Sequence, residues 1–177
     1  NDEDDLLKIN QTLGDEDEKR DLFVEHYSYL VTKHFFFFLQ EFADDKIIFY
    51  TDVLSELITN GVIHSGADVF ALMFSDRFAT KFSVSDNGVG FEASLSKKED
   101  TFCYKKLELL NCLIKEFNLK DDFATRSLLY IFEALYYSMM KNRVGLFDLM
   151  ISVVNDYQGY MRLHTDSAQV VFSVSMR

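Results

Sequence analysis

The chain has no proline and no tryptophan, and only two cysteines in 177 residues. Without proline, every loop must turn on other residues. Cys103 and Cys112 lack C-x-x-C spacing. That argues against a structural metal site or a disulfide framework and makes a reducing cytoplasm the expected compartment. Long hydrophobic runs are missing too. The stretch Phe35–Leu39, "FFFFL", falls far short of the ~20 apolar residues that span a bilayer. No secretory signal pattern is visible, so no direct membrane insertion is expected. Because the sequence begins at Asn1 rather than Met, it is read as a possible piece of a longer chain.

Basic charge is scarce. Lys and Arg number 18 against 29 Asp and Glu, a net charge of −11. Residues 1–21 hold nine acids and three bases, −6 of that total, so residues 1–19 read as an acidic, solvated segment. Nucleic acid is not an expected partner, since phosphate contacts need clustered Lys and Arg. What the chain does have is apolar mass: 48% of its residues, 18 of them Phe. That is enough to bury a core, and residues 20–177 read as one domain.

Helical spacing of Leu22, Phe23, Tyr27, Leu30 and Val31 predicts a first helix over 20–42. "ADDK", residues 43–46, ends it, with a cap for the next helix at Asp44 or Asp45. A second helix then runs to about His64. "VFALMF" (69–74) and "FATKFSVS" (78–85) predict an antiparallel hairpin around Ser75-Asp76-Arg77. Further helices are expected over 104–117, 126–141 and 146–156, with Gly159 just past the last. "YMRLH" and "VVFSVS" form two closing strands joined by 165–169. Helices alternating with antiparallel strands predict an α/β fold, a two-layer sandwich with helices on one sheet face.

Within the second helix, "ELITNGVIH" places Glu56, Asn60 and His64 four residues apart and so nearly in line. Leu54, Leu57, Ile58, Gly61 and Val62 form a separate apolar face suited to packing on the sheet. Gly61 in a helix interior costs ~1 kcal/mol against Ala, so something must approach closely there. A solvated outer face would show the same polar stripe. The chemical reading is more specific: an asparagine oxygen is a hard neutral ligand for Mg²⁺, and a glutamate one turn earlier can orient water or act as a base.

Downstream, "DNGVGF" puts Asp86 at a strand end with Gly88 and Gly90 at alternate positions. Glycine permits close approach of a flat ring. A buried aspartate needs a donor, and the exocyclic amine of adenine is one. An ordinary Asp-Asn-Gly turn would read the same way.

In this order and spacing, the two stretches resemble the N box and G1 box of the GHKL ATP-binding superfamily, which includes DNA gyrase, histidine kinases and the anti-sigma-factor serine kinases. Residues 143–174 are similar to that superfamily's G2 region, helix and final hairpin. The resemblance implies a Bergerat fold with a mixed, mostly antiparallel sheet and ATP and Mg²⁺ as cofactors. It implies Asn60 as metal ligand and Glu56 as the catalytic N-box acid. His64, Asp86, Gly88, Gly90 and Gly145 would join Asn60 in binding nucleotide, Gly145 at the start of a helix whose amides could face phosphate. The paired helices before the hairpin look most like the anti-sigma serine kinases, with a regulatory protein partner and a possible homodimer. His26 and His34 lack the acid that follows a phosphoacceptor histidine.

The pattern also departs from the superfamily. Val144 stands where a glycine is usual, Ala168-Gln169 replaces a Gly-Thr pair, and Ile63 replaces a phosphate-holding lysine. Each change strips the triphosphate side, so nucleotide binding is better supported than phosphoryl transfer. The leading expectation is an ATP–Mg²⁺-binding signalling domain of the kinase type, a regulatory protein kinase if active; a degenerate, non-catalytic module that binds protein competes with it. The interval 92–142 reads as an enlarged helical lid. Its apolar stretch 127–140 is expected to be core, and Lys97, Lys98, Lys105, Lys106, Lys141 and Arg143 are candidates for a positive field near phosphate.

Overall fold

The computed structural model describes residues 8, 11, 16–42, 47–65, 67–96, 108–141 and 145–174. The expected cap at Asp44 or Asp45, most of the acidic segment, Cys103, Val144, Arg143 and Lys97, Lys98, Lys105 and Lys106 lie outside the described residues. The fold is mixed α/β, and it divides into two units, residues 1–88 and 89–177. Among the described residues no helix is long and apolar enough to cross a membrane.

In the first unit, α1 (Glu16–Phe42) and α2 (Ile47–Ser65) pack along each other and against a hairpin of β1 (Val69–Ser75) and β2 (Thr80–Asp86). The buried side of α1 runs Arg20, Phe23, Val31 at helical spacing. The hairpin turn is built by Asp76, whose Oδ1 accepts the amides of Phe78 and Ala79 at 2.8 and 2.9 Å. The Ser75 and Thr80 hydroxyls bond across its base at 2.8 Å. One hairpin face meets α2: the Tyr50 and Phe82 rings lie 5.3 Å apart, edge to face. The other face exposes Phe70, Leu72 and Phe74 at 60%, 70% and 54%.

The second unit is organised around α5 (Phe123–Met140). Asp122 caps it, accepting the Thr125 amide at 3.0 Å. Leu129, Tyr130, Ile131, Ala134 and Leu135 are buried on it, so 127–135 supplies core, as expected, while 136–140 is half-buried with Met139 exposed. α3 (Gly90–Ser96) and α4 (Glu108–Glu116) pack on one cluster of these residues. α6 (Leu146–Ile151), which continues as a π-turn over Ser152–Asp156, packs on α5 with the hairpin β3 (Tyr160–Thr165) and β4 (Ala168–Ser173). Glu133, fully buried, accepts the Leu110 amide at 2.7 Å and so satisfies a first-turn donor of α4.

The expected single sheet is not formed by the described residues. The four strands pair as two separate antiparallel hairpins, β1 with β2 and β3 with β4. Each ladder satisfies only its own inner backbone groups, and a period-2 pattern tells which face a side chain takes, not which strand lies next door.

Candidate functional site

Within the first unit, α2 lies beside β2 and runs the same way. Tyr50 meets Phe82 near one end, and Ser65 meets Gly88 at the other. About 22 Å of helix thus runs alongside about 13 Å of strand, from Phe82 to Asp86, and the turn that follows it. The fit closes at two glycines. A Cβ on Gly61 would meet the Val69 methyls at 3.0 and 3.1 Å, so the close neighbour that this glycine requires is the first residue of β1. A Cβ on Gly88 would meet Ser65 Cβ at 2.3 Å and Ser65 O at 2.5 Å. Val69 is also the register partner of Asp86. The segment 60–65 and the turn 86–88 therefore gather at one end of the unit.

Asp86 was expected to be buried; it is exposed. Its Oδ1 accepts the Gly88 amide at 2.9 Å, which makes the local structure the Asp-Asn-Gly turn. Asn87 N–H closes the turn on Asp68 O at 3.4 Å.

The stripe on α2 is not a solvated face. Glu56 is 7% exposed and paired with Arg20 of α1, itself 5% exposed. The same Arg20 Nη2 donates to Asn60 Oδ1 at 3.0 Å. Asn60 Nδ2 and the Thr59 hydroxyl are buried without a hydrogen-bond partner among the described residues. His64 is half-buried in the last turn. Periodicity on α2 alone could not show this, because α1 supplies the partner. A signal was present on α1, where Arg20 occupies the helical line of Phe23, Tyr27 and Val31, a core position for a cation.

The Asn60 oxygen is thus engaged by a cation. A Mg²⁺ on it would sit about 4 Å from the guanidinium, a gross repulsion of about 8 kcal/mol at an effective dielectric of ~20 that the Glu56 carboxylate offsets only in part. With Glu56 neutralising Arg20 rather than facing a metal, these residues do not fit a resident Mg²⁺ in this arrangement. Among the described residues no three His, Cys, Asp or Glu side chains cluster as a metal site.

Gly90 and Gly145 belong to the second unit. Gly90 has φ +70°, a conformation that favours glycine, and opens α3 next to Thr165, whose hydroxyl accepts the Phe91 amide at 3.5 Å. Gly145 precedes α6, where a Cβ would meet Ser138 Oγ at 2.6 Å. The amides there have internal acceptors: Gly145 N–H reaches Asp148 Oδ2 at 3.2 Å and Phe147 N–H reaches Ser138 Oγ at 3.0 Å.

Compared with protein-family models, curated proteins and solved structures, the chain matches none.

Proposed function

We propose that the chain is a nucleotide-binding regulatory domain of the cytoplasm, of the GHKL type, whose role is to bind ATP and engage a protein partner rather than to transfer phosphate. What supports the reading is one spatial fact: Val69 touches Gly61 and pairs with Asp86, so the Asn60 segment and the Asp86 turn share one end of the first unit. Asp86 would read adenine. One of its oxygens takes the Gly88 amide, and a carboxylate retains acceptor capacity for the exocyclic amine, where guanine offers only a carbonyl. Gly88, set against Ser65, would lie beside the ring. A Bergerat sandwich is the architecture this reading requires.

Phosphoryl transfer is left out because Glu56, the residue assigned as base, is spent on Arg20 in a buried ion pair. Calorimetric titration with ATP tests the reading. Saturable heat that disappears in Asp86→Asn is expected; no heat at millimolar ATP rejects it.

A second reading, a degenerate module that binds protein alone, is favoured by a separate observation. Phe70, Leu72 and Phe74 share one exposed face of β1, an apolar patch of the kind used in protein contacts. It becomes the better reading if ATP produces no heat.

A further inference from the structure

We propose that this site takes its nucleotide without a divalent cation, because Arg20 stands where the metal would. The inference rests on the nucleotide reading above. An asparagine can ligate a metal only through Oδ1, and that atom accepts from Arg20 Nη2 at 3.0 Å. Arg20 is not a passing surface residue. The same nitrogen donates to Glu56, and both side chains are more than nine-tenths buried. Nor can the amide simply turn over. Turning it would set the Asn60 NH₂ against the guanidinium, donor against donor, while the present orientation already leaves Nδ2 as a buried donor with no partner among the described residues. A donor repels a cation. Glu56 holds Arg20 and Arg20 holds Asn60, so any metal on Oδ1 would have to sit beside the guanidinium.

The test is a calorimetric titration of the whole chain with ATP in EDTA and in excess magnesium chloride, at matched ionic strength. Dissociation constants within about three-fold of each other are expected. A larger loss of affinity in EDTA overturns the inference and leaves the nucleotide reading standing. No heat in either buffer overturns both. The variant Arg20→Met with Glu56→Gln removes the two charges together and frees Oδ1, with circular dichroism to check that it folds. Magnesium is expected to tighten ATP binding to it by more than about three-fold. If magnesium leaves that variant's affinity unchanged, Arg20 is not what excludes the metal.

Discussion

Gly88 lies so close to Ser65 that any side chain at 88 would strike the last residue of α2, both at its Cβ (2.3 Å) and at its carbonyl oxygen (2.5 Å). The turn carrying Asp86 is therefore set on the helix carrying Asn60 by backbone packing. Gly88→Ala must shift one or the other and is expected to lose about 1–3 kcal/mol in urea denaturation. Adding Ser65→Gly should not rescue it, because the Ser65 carbonyl and Cα remain in the way. Gly61→Ala should behave differently, since the nearest atoms to a Cβ there are the Val69 methyls, side-chain atoms that can be removed. In a Val69→Ala background the same change is expected to stabilise by up to ~1 kcal/mol through helix propensity. Rescue of Gly88→Ala by Ser65→Gly would contradict this packing.

Arg20 and Glu56 should show strong coupling. Arg20→Met alone leaves a buried carboxylate without its cation, and a loss of about 3–5 kcal/mol is expected. Arg20→Met combined with Glu56→Leu removes both charges and should recover most of that loss, because a buried pair is often replaceable by apolar packing. A double-mutant cycle by chemical denaturation measures the coupling, and additive losses would mean that the pair is not formed in solution.

Acid should unfold the turn and cap structures first. The Thr125 amide holds the Asp122 carboxyl down to about 2, from an ordinary 3.8, and the Phe78 and Ala79 amides hold Asp76 below its usual value. Groups with depressed folded values stabilise fully above the unfolded value and lose that contribution as pH falls through the folded one. Melting temperature should therefore decline between about pH 4 and pH 2. Asp122→Asn, which keeps a capping oxygen but not the charge, should flatten part of that decline. An unchanged slope in the variant would argue against the cap.

The β1 face makes an opposite demand on stability. Phe70, Leu72 and Phe74 lie opposite Ser85, Ser83 and Lys81 and are exposed, so replacing each with Thr should change unfolding free energy by no more than about 0.5 kcal/mol. If one replacement costs several times that, the side chain packs against something in the folded chain.

Local structure was the most legible part of the sequence. The alternation of Thr80, Phe82 and Val84 marked β2, although Phe78, expected on the same strand, lies in the Asp76 turn, and the apolar spacing on α5 marked a core helix that is indeed the centre of its unit. Both hairpin pairings were legible, but whether the two hairpins join in one sheet was not, because β1–β2 and β3–β4 have the same period either way. Gly61 announced a close neighbour but not that it would be Val69. The polar stripe was read from α2 alone, and its meaning depended on Arg20, 36 residues before Glu56. The adenine reading of Asp86 supposes a buried carboxylate in need of a donor, yet its own turn supplies its hydrogen bond and leaves it at the surface.

The most direct test is an amide NMR titration of the ¹⁵N-labelled chain with ATP. Saturable shifts concentrated at 56–66 and 86–90, and lost in Asp86→Asn, are expected if adenine sits against the turn beside α2. A spectrum unchanged at millimolar ATP, or shifts confined to other segments, would contradict a nucleotide site there.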